Sequence, residues 1–135
     1  MTKYIASYAA TLGVMLVLDL LWIGVIAKPM YQQGIGHLMA EQPRLPVAVA
    51  FYLLYAVGLV VFAVLHGGAA GNWRTAAVYG AMFGFFAYAT YDLTNLATLR
   101  NWPVGLAAID IAWGTLVSAV CAVAGRLALD RFSPG

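Results

Sequence analysis

A chain of 135 residues that is 64% hydrophobic and only 9% charged cannot clothe a water-soluble globule. With a mean hydropathy of +0.86, it reads as a single-domain integral membrane protein. A net charge of +2 leaves no basic surface for nucleic acid, and one cysteine, Cys121, excludes a disulfide framework or a thiolate cluster.

Four apolar segments of about 20–25 residues follow one another, each long enough for a hydrocarbon core of about 30 Å. The first runs over about residues 4–27 and ends at Lys28-Pro29. Lys3 before an apolar stretch resembles a signal peptide, but the stretch is too long, contains Asp19 and lacks a small-residue cleavage site, so a retained span is expected. The connection KPMYQQGIGHLMAEQPRL mixes Met30, Tyr31, Ile35, Leu38 and Met39 with polar residues, the make-up of a short interfacial helix. Span two, about 46–65, opens at Pro46 and stops at His66-Gly67-Gly68. Span three, about 75–99, lies between Arg74 and Arg100, and span four, about 104–129, follows Pro103 and ends near Asp130-Arg131. Lipid offers the backbone no hydrogen-bond partner, so all four should be helices. Short connections then make neighbours antiparallel. The expected fold is an all-α integral membrane protein: an antiparallel four-transmembrane-helix bundle with a short interfacial helix between spans one and two. Trp73 and Trp102 flank span ends, as interfacial anchors do. Lys3, Arg74, Arg126 and Arg131 fall on the side of the termini; Lys28, Arg44 and Arg100 fall on the other. The positive-inside rule therefore puts both termini in the cytoplasm, by one charge.

Three of the five acidic residues, Asp19, Asp92 and Asp110, lie within these spans. At about 1.5 Å per helical residue they sit roughly 13, 12 and 10 Å below the side opposite the termini, so three helices bring a carboxyl to nearly one level. Span two adds Tyr52 and Tyr55 near that depth. On span three, Tyr88, Asp92 and Asn95 share a face at i, i+4, i+7, and Tyr91, Thr94 and Thr98 prolong the polar stripe. Spans one and four carry the same short motif, DLLW at Asp19 and DIAW at Asp110, with Trp22 and Trp113 each on the face of its aspartate. Because those spans run oppositely, one ring should roof a pocket and the other floor it.

Each intramembrane aspartate costs about 2.5–3.5 kcal/mol on the insertion scale. Interhelical hydrogen bonds return on average about 0.6 kcal/mol each. Helix pinning alone is thus a weak reason for three acids, and a functional polar pocket is the stronger reading. Either the carboxyls keep their protons and are hydrogen-bonded, or a cation or water offsets their charge. Asp19, Asp92 and Asp110 are the candidate ligands for a divalent cation; an oxygen-only site suits Mg²⁺, Ca²⁺ or Mn²⁺ better than zinc. His37 and His66 have neither haem nor zinc spacing. Gly80 and Gly84 form a small-xxx-small pair, explained by close helix packing or, alternatively, by a homodimer face.

The strings LDLLWIG, AKPMYQQGIGHLMA, FYLLYAVGL, AYATYDLTNLATLRNWP and DIAWGT resemble a family of small bacterial membrane proteins, domain of unknown function 2177. The resemblance covers nearly the whole chain. It implies a four-helix protein of the bacterial inner membrane and brings no activity with it.

Function therefore rests on the pocket. The favoured reading is binding or transport of a small solute or cation, coupled to protons. A second is a membrane-embedded enzyme acting on a lipid or other apolar substrate, although no GxGD, His-box or ExxH signature supports it. A third is an accessory subunit of a larger membrane complex.

Overall fold

The computed structural model describes residues 1–40, 42 and 44–133. Helices dominate and no strand occurs among them. Helix α1 spans Thr2–Leu21 and continues as a π-helical turn over Trp22–Ile26. A short helix α2, Lys28–Ile35, follows with Pro29 in its first turn. Helix α3, Leu45–Leu59, also opens on a proline, Pro46, and also runs into a π-turn, Val60–Val64. Helices α4, Trp73–Thr98, and α5, Val104–Arg131, complete the chain. Prolines gather at helix starts because the first turn has no use for the missing N–H.

Three stretches are long and apolar enough to cross a membrane: Thr2–Ile26, Leu45–Val64 and Val104–Arg131. The fourth expected span falls on α4, whose 26 residues suffice in length. Its composition is less apolar, because Arg74, Asp92, Asn95, three tyrosines and several threonines interrupt it. The threonines are exposed and satisfy themselves. Thr90 and Thr98 donate to the carbonyls of Phe86 and Thr94 at 2.6 and 2.8 Å, and Thr94 donates to Thr90. Such back-bonding hides a hydroxyl inside its own helix. The polar stripe expected through Thr94 and Thr98 is thus turned onto the backbone.

The interior is partly polar and the outside apolar. Helix α1 buries Ser7, Thr11, Met15 and Asp19, one residue per turn, while Ile5, Val17 and Leu20 are exposed. Helix α5 is central, packing against α4, α1 and α3. Small residues allow the close approach. A Cβ on Gly80 would come within 2.6 Å of Ala122 Cβ, one on Gly84 would strike the Gly114 carbonyl, and one on Gly125 the Thr11 hydroxyl. Gly80 and Gly84 are therefore committed to α5 of the same chain, and a homodimer through them would have to displace that helix. Cys121 is buried in this core as a small apolar side chain.

At the far end, Arg126 is buried at 5% exposure. Its Nη1 donates to the carbonyls of Val64, the last residue of the π-turn after α3, and of Gly68 in the turn beyond, and its Nε pairs with Asp130 at 3.1 Å. Carbonyls at a helix end carry partial negative charge and lack intrahelical donors, so a guanidinium there closes the helix. The charge counted for membrane orientation is thus spent on the fold. Helix α4 starts on Asn72, whose side chain accepts from the N–H groups of Arg74 and Thr75. Trp73 is half-exposed with the Arg74 guanidinium over its ring, as an anchor would be. Trp102 is buried against Tyr91 instead, so it is no outward anchor. The bend that turns it inward includes Asn101 at φ 61°, a left-handed conformation that asparagine tolerates.

Candidate functional site

The two Asp-x-x-Trp motifs cross over. The Trp113 indole of α5 donates to Asp19 Oδ1 of α1 at 3.1 Å. In the other direction, the Trp22 indole donates to the Tyr31 hydroxyl at 3.3 Å, and Tyr31 donates to Asp110 Oδ1 at 2.5 Å. The two indoles stack with centroids 4.4 Å apart and planes 5° from parallel. The roof-and-floor arrangement expected of Trp22 and Trp113 is therefore replaced by a face-to-face pair. Each ring reaches toward the other motif's carboxyl, Trp113 directly and Trp22 by way of Tyr31.

Around the pair lies a cavity of about 660 Å³. Asp19, Trp22, Tyr52, Tyr55, Tyr88, Asp110 and Trp113, all expected at the site, line it. Tyr55 is fixed by a 2.7 Å hydrogen bond to Ser118 and packs edge-on against Tyr88. The Tyr88 ring fills the space that a side chain at Gly114 would need. Tyr52 brings its hydroxyl toward Asp19. Asp19 and Asp110 are 5% and 6% exposed, and each commits only Oδ1 to the protein's hydrogen bonds among the described residues.

Two expected residues stand off the wall. Asp92 is 1% exposed, beside Asp110 and Trp102, but among the described residues neither of its oxygens has a hydrogen-bond partner, and the Trp102 indole N–H has none either. Asn95 lies a turn beyond and does not line the cavity. Of the three aspartates, Asp92 and Asp110 are neighbours, and Asp19 and Asp110 are each tied to the tryptophan pair, Asp110 through Tyr31. Among the described residues no three carboxyl, histidine or cysteine side chains come together to hold a metal ion.

The connection contributes what the sequence reading passed over. Helix α2 docks near the start of α5, with Gly34 3.0 Å from the Pro103 ring if it carried a Cβ. Lys28, Tyr31, Gln32, Ile35 and Met39 thereby join the wall. Burial and the bond to Asp110 hold the Tyr31 phenol above the usual tyrosine range, so it remains a donor. His37, on the same connection, does not line the cavity. A tyrosine four residues past the span end, in a segment otherwise suited to an interface, was the available signal.

A family model described as a predicted membrane protein matches residues 4–127. The chain belongs to the family DUF2177. No curated protein and no solved structure matches it. Both Asp-x-x-Trp motifs and Tyr31 fall inside the matched residues, so the crossed motifs of this DUF2177 protein lie within the family region.

Proposed function

We propose that the protein binds a small solute or cation within the membrane and exchanges it for protons, as a binding protein or transporter. One observation carries this reading: two carboxyls, Asp19 and Asp110, are more than nine-tenths buried on the wall of an aromatic cavity of about 660 Å³. Acids facing a bundle interior commonly mark ion and substrate pathways. A carboxyl that meets a cation gives up its proton, which couples the two.

The reading assumes an antiparallel four-span bundle in a bacterial inner membrane, with α4 as the fourth span and both termini in the cytoplasm. The length of α4 and its self-bonded threonines support this. Single cysteines at Thr2, Ala40, Ala70 and Asn101, in a Cys121→Ser background, test it. Positions 2 and 70 should label from one side of the membrane, 40 and 101 from the other.

The functional test is proton release. Purified protein in weakly buffered detergent is titrated with candidate solutes while an indicator dye follows pH. Release by the native protein and its loss in Asp110→Asn are expected; binding with no release removes the coupling.

A membrane-embedded enzyme acting on a lipid is the second reading. Ile23, Phe51 and Tyr91 on the cavity wall are about half-exposed, which suits a substrate arriving from the bilayer. A changed lipid profile in a deletion strain would favour it.

A further inference from the structure

Eight of the side chains lining the cavity are aromatic. The donors nearest its carboxyls already face acceptors of the protein: Trp113 and Tyr52 at Asp19 and Tyr31 at Asp110, with Tyr55 bonded to Ser118. Most of what remains for an occupant is ring faces and carboxylate oxygens. Both attract positive charge, the rings through the negative face of their quadrupole.

An inorganic ion fits poorly. A hard cation needs about six or more oxygen ligands to replace its water. Among the described residues no three carboxyl, histidine or cysteine side chains converge, and the cavity is far larger than an ion. A diffuse cation on an apolar body sheds water cheaply and can use the faces of Trp22, Tyr52 and Tyr88 as well as the acids. Lys28, the one basic residue on the wall, is exposed and keeps its ammonium in water. Access agrees: the half-exposed Ile23 and Phe51 leave the wall open to a compound that partitions into the bilayer.

We infer that the cavity takes an organic cation with an apolar body, a quaternary or protonated amine of about the size of a benzyl group, held by Asp19 and Asp110 between aromatic faces. This rests on the cavity being a binding site, as proposed above.

The test compares benzyltrimethylammonium with neopentylbenzene, its neutral carbon isostere, and with benzylsulfonate. Fluorescence of the Trp22–Trp113 pair is the readout, in detergent-purified full-length protein. The ammonium should bind at least about tenfold more tightly than the neutral isostere, and the sulfonate not at all. Asp110→Asn, which keeps an acceptor for Tyr31, should lose about tenfold in affinity for the ammonium and nothing for neopentylbenzene. Asp19→Asn gives the same reading if Asp110→Asn fails to fold. Equal binding of the ammonium and its isostere, or unchanged ammonium affinity in the asparagine variants, overturns the inference and leaves a site for neutral apolar solutes. If no compound alters the tryptophan signal, the binding-site reading falls with it.

Discussion

Trp22 and Trp113, from opposite ends of the chain, lie face to face at 4.4 Å, and each indole N–H is directed to the other motif's side of the cavity. Stacked aromatic pairs add about 0.5–1.5 kcal/mol beyond the area they bury. The pair therefore ties α1 to α5 and, in the same contact, orients two carboxyls.

Trp113→Phe should keep a ring in the stack but lose the bond to Asp19. A stability loss of about 1 kcal/mol is expected, with the near-UV circular dichroism of the coupled indoles abolished. A double-mutant cycle with Trp22→Phe should give a coupling of at least about 0.5 kcal/mol; additive effects would mean that the stack holds nothing together.

Glycine replacement should divide sharply by position. Gly84→Ala and Gly114→Ala press a methyl onto the Gly114 carbonyl and the Tyr88 ring, and should each destabilise by about 1–3 kcal/mol. Gly13→Ala, with nothing within 4 Å, should be neutral or slightly stabilising. Unfolding midpoints in one detergent measure both.

Arg126→Gln removes the donor to Val64 and Gly68 and the ion pair with Asp130. A loss of about 2–3 kcal/mol is expected, because bonds from a charged group are worth about 1.5–3 kcal/mol and the buried Val64 carbonyl loses this donor. Hydrogen exchange should quicken first at Val64–Gly68; a uniform change along the chain would deny the cap.

Tyr31 gives a pH dependence of known sign. Its phenol is held above the usual tyrosine range by burial and by Asp110, so its stabilising effect is fully present below about pH 10 and is lost as pH rises beyond it. Tyr31→Phe should lower stability at pH 7 and flatten part of the alkaline fall. An alkaline profile identical to that of the native protein would place the titration elsewhere.

Lys28→Gln should raise ammonium affinity about two- to threefold at low salt, since it removes a like charge from the rim, and the gain should vanish by about 1 M salt. A fall in affinity would mean that Lys28 contacts the occupant.

Long apolar runs bounded by Lys28-Pro29, Pro46, Arg74 and Pro103 marked the long helices, because length and flanking charge are local properties. The helical period likewise brought Asp19, Trp22, Tyr88, Asp110 and Trp113 to one region. What it could not reveal was pairing across helices. Trp113 meets Asp19 rather than its own Asp110, and that depends on how α1 and α5 are rotated. Tyr31 was missed because a docked helix and an interfacial one have the same amphipathic composition. Trp102 was misread because sequence places it at a span end and is silent on which way the bend at Asn101 turns it.

The crossed motifs also decide which part of the molecule can yield. Parting α1 from α5 would break the stack and the Trp113 bond at once and strip Asp19 of its donor. The first ten residues of α3, Leu45–Leu54, have no buried side chain, and the one side-chain hydrogen bond holding them among the described residues runs from Tyr8 to the Leu53 carbonyl. Phe51 and Tyr52 stand on that segment. Of the chamber wall, the α3 segment is thus the part held least by the protein's own interior, and the α1–α5 side the part held most.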